Sequence, residues 1–251
     1  MLRKVARQLS VWLKTLGLLA IPPVTRHQRK AVLGAFSSLS RKLSVLPLDD
    51  LLAGLPDSTE VRLAVLEKRP HNMTAIEIFC LAAITRAFSP SVALEIGTYD
   101  GRSTMAIARN MAGKVYTVNL GPDYLNLHPE EAHRIDIQLS GKVKSGERGL
   151  SPETDRIVQI FSDSTKLDFE QFGTVDFIVI DGGHDYEVVK ADTENALRII
   201  NRRRGVILWH DAVDFGVGKY LPELALPISI IDGTVLAVLI FENDAARELL
   251  R

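Results

Sequence analysis

The sequence predicts an α/β fold built on a mostly parallel sheet, and three observations support this prediction. From residue 92 to residue 241, short apolar runs alternate with helical patterns, as in parallel strands joined by helical crossovers. One of these runs, 175–180, is apolar enough for a strand that is buried on both faces. A chain of 251 residues with 46% hydrophobic residues suffices for one large domain and an appendage.

The expected elements follow in order along the chain. Helical patterns cover 2–20, 27–44, 58–68, 103–111 and 186–200, and a further helix runs from Asn72 to Phe88, where Ser89-Pro90 breaks it. Seven strands are expected at 92–96, 114–120, 156–161, 175–180, 205–209, 228–231 and 236–241. The last two are expected to be antiparallel across Asp232-Gly233. The stretch 121–155 is longer than an ordinary connection, which favours a functional insertion, and a short helix can begin in it at Pro129.

The N-terminal segment differs from the rest of the chain in charge. Residues 1–48 hold nine of the 30 Lys and Arg residues and none of the 31 acidic ones. We therefore divide the chain into a basic helical extension, 1–70, and a domain, 71–251. The domain is acidic overall, so we expect no nucleic-acid partner. Two interpretations of the amphipathic helix 2–20 stay open: peripheral contact with an anionic membrane, or packing on its own domain or on a second subunit as a dimer.

Two features bear on the compartment. The single cysteine, Cys80, excludes an intramolecular disulfide and suits a reducing environment. The apolar run 11–24 is too short to span a bilayer. We expect a cytoplasmic protein, with peripheral contact at the inner membrane surface as the alternative.

The most informative segment is the turn after the first strand of the alternating region. Gly97 and Gly101 stand four residues apart, and a helix opens at Ser103. Glycine permits a sharp turn and the close approach of a ligand, and open α/β sheets bind ligands at this edge. The dinucleotide pattern G-x-G-x-x-G is absent because Tyr99 stands at its second glycine, and the P-loop signature Gly-Lys-Ser/Thr is absent as well. A glycine turn also occurs in other α/β proteins, so the turn alone leaves the ligand open.

Charged residues follow two later strands. Asp181 and His184 come after the strand 175–180, and His210 and Asp211 come after the strand 205–209. Parallel strands share their carboxyl edge, so we expect these four side chains to lie near one another and near the glycine turn. Residue types of this kind can bind metals or transfer protons.

The form Glu-x-Gly-x-x-x-Gly-x-Ser resembles the first motif of class I S-adenosylmethionine-dependent methyltransferases, and here it is similar to the catechol and caffeoyl-CoA O-methyltransferases. The resemblance implies a Rossmann-like sheet of seven strands, mostly parallel, with the last strand antiparallel. In this family Asn119 stands where an acid usually binds the ribose, and Asp163-Ser164 corresponds to a segment at the adenine. The alternative for Asp163 is a helix N-cap. The implied cofactor-binding residues are Glu95, Gly97, Thr98, Tyr99, Gly101, Ser103, Asn119, Asp163, Ser164 and Asp181.

A narrower resemblance covers about residues 72–242. The segments Asp-Gly-Gly-His-Asp-Tyr at 181–186 and Trp-His-Asp at 209–211 are similar to a bacterial group of these enzymes, related to macrolide-sugar O-methyltransferases. The match to metal-dependent members makes Asp181, His210 and Asp211 the candidate ligands of Mg²⁺ or Mn²⁺, and His184 or His210 the catalytic proton acceptor. Two alternatives stay open: Asp181 binds the cofactor or caps the next helix, and His210-Asp211 is a structural pair.

The resemblance implies methyl transfer from S-adenosylmethionine to an oxygen of a small molecule, a sugar or a lipid-linked hydroxyl, with a divalent metal as an optional helper. The acceptor would contact the insertion 121–155 and the loop 212–220. Two other functions stay open. Asn119 favours a non-catalytic protein that binds S-adenosylmethionine, and the fold class also permits a nicotinamide-dependent oxidoreductase, against which Tyr99 and the missing third glycine stand.

Overall fold

The structure, a computed structural model, describes residues 43–53, 55, 59–63, 70–133, 155–213 and 216–241. The predicted helices at 2–20 and 27–44 fall almost wholly outside these residues. Within the described chain, eight strands form one sheet. They are β1 (Ser44–Leu46), β2 (Val92–Ile96), β3 (Lys114–Asn119), β4 (Ile157–Phe161), β5 (Phe177–Ile180), β6 (Val206–Trp209), β7 (Ser229–Ile231) and β8 (Ala237–Ile240).

The strands are arranged in the order β1-β7-β8-β6-β5-β2-β3-β4. Strand β8 pairs antiparallel with both of its neighbours, and every other pairing of strands is parallel. This confirms the predicted mostly parallel sheet with an antiparallel last strand, and the turn at Asp232-Gly233 joins β7 to β8 as predicted. The sheet is a Rossmann-like α/β sheet, in which the strand order runs outward in both directions from β2 and β5.

The seven predicted strands are all present, and an eighth was not predicted. Strand β1 lies inside the segment that the sequence assigned to a helical extension, and Val45 pairs with Ile230 of β7. Its three residues carry no alternating pattern, so only the edge of β7 defines them as a strand. The prediction of a helix at 58–68 is wrong for its described part, 59–63, which has no regular structure. There the Asn110 side chain bonds both the N–H and the C=O of Arg62, and a tertiary contact replaces helical bonding.

Helices cover both faces of the sheet. They are α1 (Leu48–Ala53), α2 (Ala75–Phe88), α3 (Arg102–Asn110), α4 (Tyr124–Leu127), α5 (Tyr186–Ile199) and α6 (Val217–Tyr220). Helices α2 and α3 pack in one apolar cluster and α5 in the other. Among the described residues, no helix is long and apolar enough to cross a membrane.

Helix α2 begins later than the sequence predicted. Thr74, rather than Asn72, is the N-cap, and a capping box with Glu77 starts the helix at Ala75. In the insertion 121–155, residues 134–154 lie outside the described chain. The predicted short helix at Pro129 is present as a 3-10 turn, Pro129–His133.

Candidate functional site

The backbone turns sharply between β2 and α3, and Gly97 is the residue that permits it. Its φ is +101°, and its N–H donates to the Val118 carbonyl at 2.8 Å. A Cβ at this position would lie 2.1 Å from the Asp181 carbonyl oxygen, so only glycine fits between β3 and β5. Tyr99 and Gly101 also have positive φ, of 47° and 88°. The turn therefore follows a path that glycine makes possible at the carboxyl edge of the sheet.

Glu95 supports this turn from inside the core. The side chain is fully buried, and its Oε2 accepts hydrogen bonds from Thr104 Oγ at 2.5 Å and from Thr117 Oγ at 2.6 Å. Thr98 shares a hydrogen bond with Thr117 at 2.7 Å. Burial raises the pKa of Glu95 to about 7, against the lowering effect of the neighbouring hydroxyls of Ser103, Thr104 and Thr117. Glu95 thus links β2, β3 and α3, and its predicted contact with a cofactor stays a prediction.

The segment before α2 holds the outer side of the turn. Asn72 Nδ2 donates to Asp100 Oδ1 at 3.1 Å, and Arg102 Nη1 donates to the Met73 carbonyl at 2.6 Å. The Tyr99 hydroxyl donates to the Pro70 carbonyl at 3.2 Å. Asp100 and Arg102 are buried, as are Thr98 and Ser103. The turn is therefore held in place before any ligand binds.

The ends of β3 and β4 bring Asn119, Asp163 and Ser164 to the same edge. The Ser162 N–H donates to the Asn119 carbonyl at 2.9 Å, which joins the two strand ends. Asp163 Oδ1 accepts from the Thr165 N–H at 3.0 Å, so it caps the 3-10 turn Ser164–Lys166, and Lys166 pairs with it at 2.9 Å. Burial would raise the pKa of Asp163, but Thr165 and Lys166 outweigh it and lower the pKa. The N-cap role is confirmed, and the adenine contact stays a prediction.

The structure brings together the four charged residues that follow β5 and β6. His184 Nε2 lies 3.2 Å from Asp211 Oδ2. His210 Nδ1 lies 3.0 Å from Asp181 Oδ1 and 3.7 Å from Asp211 Oδ2. The backbone contact between Gly97 and Asp181 places this cluster directly beside the glycine turn.

The two histidines differ in their access to solvent. The side chain of His184 is 28% exposed, and that of His210 is 7% exposed. Burial would lower the pKa of His184, but Asp211 outweighs this effect and raises it. Burial would likewise lower the pKa of His210, but Asp181, Glu77 and Asp211 together hold it well above the usual value. His184 is therefore the more accessible of the two rings, and the carboxylates around the buried His210 favour its protonated form.

Glu77 is a member of this cluster that the sequence did not indicate. Its Oε1 accepts from the Val235 N–H at 3.0 Å, and its Oε2 accepts from the Thr74 N–H at 2.7 Å and lies 3.6 Å from His210 Nε2. Burial would raise the pKa of Glu77, but His210 and the two N–H donors hold it far below the usual range. The spacing Thr74-x-x-Glu77 is a signal for a capping box, yet nothing local in the sequence points to His210.

The predicted metal ligands do not fit a divalent ion in this arrangement. Asp181, His210 and Asp211 do not bring three ligand atoms within 4.8 Å of one another, and both nitrogens of His210 lie within 3.6 Å of a carboxylate oxygen, of Asp181 and of Glu77. Within the described residues, only His128, Glu130 and Glu131 form a group of three whose ligand atoms all lie within 4.8 Å of one another. That group lies at the C-cap of α4 and on the 3-10 turn Pro129–His133, rather than at the carboxyl ends of β5 and β6.

The sheet defines a Rossmann-like class of fold. A comparison with protein-family models agrees with this class of fold. Residues 94–212 match the model of a family described as a methyltransferase domain. No curated protein matches the sequence of this chain. The matched segment contains the glycine turn, Asp163 and the four charged residues after β5 and β6, and it leaves out Glu77.

Solved structures with a similar fold include two O-methyltransferases. One, from Bacillus cereus in complex with S-adenosylhomocysteine, is 18% identical and has a TM-score of 0.46 over 68% of this chain and 84% of that one. The other is TomG from Streptomyces achromogenes, involved in tomaymycin synthesis and solved with S-adenosylmethionine. It is 15% identical, with a TM-score of 0.45 over 83% of this chain and 96% of that one.

Proposed function

We propose that this chain is an S-adenosylmethionine-dependent methyltransferase that methylates an oxygen of a small-molecule acceptor. The observation that carries the proposal is the juxtaposition of the Gly97 turn with the His184–Asp211 pair. The first is a site where a ligand can approach the backbone, and the second is a base beside it. Both lie in the segment that matches a methyltransferase domain.

The cofactor lies along the carboxyl edge of the sheet in this proposal. The turn formed by Gly97, Thr98, Tyr99, Gly101 and Ser103, which Glu95 supports, would hold its amino-acid end. Asn119, Asp163 and Ser164 would hold its nucleoside end. Asn119 brings no charge, so it binds the ribose through its amide alone. The rigid turn supports binding because little order is lost when a ligand arrives at a preformed site.

S-adenosylmethionine supplies an activated methyl group on a sulfonium. His184 takes the proton of the acceptor hydroxyl, and Asp211, next to its Nε2, holds the ring in position. In the transfer the bond from the acceptor oxygen to the methyl carbon forms as the bond from carbon to sulfur breaks. Asp211 stabilises the imidazolium that His184 becomes, as the acid of a catalytic dyad does.

His210 has a different part in this proposal. Its ring is enclosed by Asp181 and Glu77 and is the less exposed of the two histidines. We assign it the role of a buried cation that keeps Asp181 and Asp211 in place at the two strand ends, rather than that of the base. No step passes through a metal ion, because the ring is committed to these carboxylates.

We place the acceptor against two segments, which are the ones that the sequence assigned to it. One is the described part of the insertion, 121–133, and the other is the loop 212–220, where the Gly216 N–H donates to the His184 carbonyl at 2.8 Å. A sugar or a lipid-linked hydroxyl is the acceptor class we infer, and a contact of the basic N-terminal segment with a membrane belongs to the same proposal.

Titration calorimetry with S-adenosylhomocysteine tests the proposal. The wild-type protein is expected to bind it, and Gly97→Ala is expected to bind at least tenfold more weakly because its Cβ has no room. Gly173→Ala is the matched control: its φ is also positive, +64°, but no atom lies within 4 Å of an added Cβ. Absence of binding by the wild-type protein would overturn the proposal, and NADH binding would favour an oxidoreductase.

A further inference from the structure

Four arginines gather at the amino edge of the sheet, where α5 ends and the chain turns toward β6. Arg198 lies in the last turn of α5, and Arg202, Arg203 and Arg204 form the turn before β6. All four are exposed, and within the described part of the chain no carboxylate forms an ion pair with them. The dipole of α5 favours a cation at Arg198, but it does not account for three more beyond the helix. We call these four residues the arginine turn.

Two contacts hold the arginine turn against its neighbours. The Arg204 guanidinium donates to the Phe88 carbonyl at the end of α2, and Arg86, two residues earlier, is a further exposed cation. The Arg202 guanidinium lies over the Phe241 ring, 4.8 Å from its centroid. The cations therefore occupy a defined face that includes the ends of two helices.

Asp176 lies at this edge without neutralising the arginines. Its Oδ2 accepts from the N–H groups of Ser91 at 2.9 Å and Val92 at 3.3 Å, and its Oδ1 accepts from Asn201 Nδ2 at 2.9 Å. Both oxygens are thus bonded to groups that join the strand ends. The carboxyl edge carries the acids of the candidate site, so the two edges of the sheet differ in charge.

The N-terminal segment joins the sheet at the same edge as the arginine turn. Strand β1 is parallel to β7, and β8 is antiparallel to both β7 and β6, so β1 runs in the direction of β6. The chain before Ser44 therefore meets the sheet at its amino edge, three strand spacings or roughly 14 Å from the start of β6. Residues 1–42 hold nine Lys and Arg residues and no acid. Nine further cations are thus attached at this edge.

A surface of phosphates complements such an edge. Guanidinium groups bind phosphate through paired N–H donors, and each Lys or Arg near an anionic bilayer strengthens binding. The predicted amphipathic helix 2–20 also offers apolar side chains such as Trp12, Leu13 and Leu16, which a bilayer can bury and a nucleic acid cannot. This combination favours lipid headgroups over nucleic acid.

We propose that the amino edge of the sheet docks on an anionic phospholipid bilayer through the arginine turn, with the candidate site on the side away from the bilayer. The inference rests on the proposed function only for the membrane contact of the N-terminal segment, and it does not depend on methyl transfer. In this orientation the site opens to water, which favours a sugar over a lipid hydroxyl at the bilayer surface as the acceptor.

Co-sedimentation of the full chain with vesicles tests the inference. The protein is expected to bind vesicles of phosphatidylglycerol and phosphatidylcholine in equal parts, and to bind pure phosphatidylcholine at least tenfold more weakly. The double variant Arg198→Gln and Arg203→Gln should bind the anionic vesicles about tenfold or more weakly, because two cations are lost. The double variant Lys190→Gln and Lys219→Gln removes the same charge from α5 and α6 nearer the carboxyl edge, and it should bind within about twofold of the wild type.

The outcomes separate this inference from the proposed function. If the wild-type protein binds neither vesicle, the membrane contact and this inference fail, whereas binding of S-adenosylhomocysteine tests the methyltransferase proposal independently. If the arginine variant binds the anionic vesicles as the wild type does, the N-terminal segment alone holds the bilayer and the inference is overturned. Tighter binding to a DNA duplex than to the anionic vesicles, lost in the arginine variant, would assign the face to nucleic acid instead. A thermal unfolding curve verifies that each variant is folded.

Discussion

His184 and Asp211 meet across the ends of two adjacent strands, with His184 Nε2 3.2 Å from Asp211 Oδ2. Asp211 has a φ of 51°, a conformation that is uncommon outside glycine, and this directs its side chain toward His184. A strained backbone is kept where the surrounding structure or the function requires it. The pair is therefore the part of the site whose chemistry is most directly testable.

The first prediction concerns the pH dependence of methyl transfer. A base works in its neutral form, and Asp211 raises the pKa of His184, so kcat/KM is expected to rise with pH through a value above 6.5. Asp211→Asn should move this midpoint to lower pH, since the strongest influence that raises the pKa of His184 is then lost while burial still lowers it. His184→Gln should lower kcat by about 100-fold or more while the Kd of S-adenosylhomocysteine changes little. A pH profile that is the same in Asp211→Asn as in the wild type would contradict the assignment.

The second prediction concerns stability and Glu95. Its pKa is raised from 4.5 to about 7 in the folded protein, so the folded state holds the proton more tightly than the unfolded chain. The free energy of unfolding is therefore highest below about pH 4.5 and falls as the pH rises to about 7. Glu95→Gln should remove part of this slope and raise stability at pH 8 by roughly 1–3 kcal/mol. Denaturant unfolding at several pH values measures the free energy of unfolding of the wild type and of Glu95→Gln.

Part of the pH dependence of the free energy of unfolding should remain in Glu95→Gln, because Asp192 also contributes to it. Its pKa is also raised to about 7, so it keeps a slope of the same sign in Glu95→Gln. The double variant with Asp192→Asn should have a smaller slope between about pH 5 and 7 than either single variant, and the raised pKa values of His184 and His210 keep a slope above about pH 6.5. Glu194→Gln serves as the control because this acid is exposed. Equal slopes in the control and in Glu95→Gln would show that the Glu95 carboxyl is ionised in the fold.

The third prediction concerns the contact of Glu77 with His210. Glu77→Ala removes a helix cap, the acceptor for Val235 and one side of a buried ion pair, so it should lower the free energy of unfolding by about 3 kcal/mol or more. Thr74→Ala removes only the cap and should cost about 1 kcal/mol. Chemical denaturation of both variants compares them. If the two losses were equal, the contact with His210 would contribute nothing.

The fourth prediction concerns Gly216. A Cβ there would lie 2.3 Å from the Tyr186 nitrogen and 2.6 Å from the His184 carbonyl oxygen. Gly216→Ala should displace the loop from His184 and lower kcat by roughly tenfold or more, with cofactor affinity kept. Gly233→Ala, in the turn between β7 and β8, is the control, because no atom lies within 4 Å of an added Cβ there. Steady-state kinetics measures kcat, and calorimetry measures the affinity for the cofactor. An unchanged kcat in Gly216→Ala would show that the loop has no part in the site.

The fifth prediction concerns metal ions. Because His210 is held between Asp181 and Glu77, binding of S-adenosylhomocysteine and turnover are expected to be equal in EDTA and in added Mg²⁺ or Mn²⁺. Asp181→Ala should weaken the cluster whether or not metal is present. If the wild-type activity required Mg²⁺ or Mn²⁺, and if adding the metal no longer raised the activity of Asp181→Ala, the metal-dependent mechanism implied by the sequence resemblance would be supported instead.

The strands and the glycine turn could be predicted from the sequence because each has a local cause. A buried parallel strand such as β5 is a continuous apolar run, and the turn at Gly97 has glycines where the backbone needs positive φ. The proximity of His184 to Asp211 also followed, since parallel strands have a common carboxyl edge. The ligand of these residues does not follow from local sequence patterns. Its proposed identity is inferred from the family match, and the experiments above test it.

The amino-acid sequence alone determined the class of fold, the order of its strands along the chain and the edge where a ligand approaches. Tertiary structure alone decided that residues 44–46 form a strand, that Glu77 faces His210 and that Asp192 is fully buried. It also separated the two histidines into an accessible one and a buried one. The physical reason is that periodicity records which face of an element is apolar, whereas burial, pKa and ion pairing depend on segments that meet only after folding.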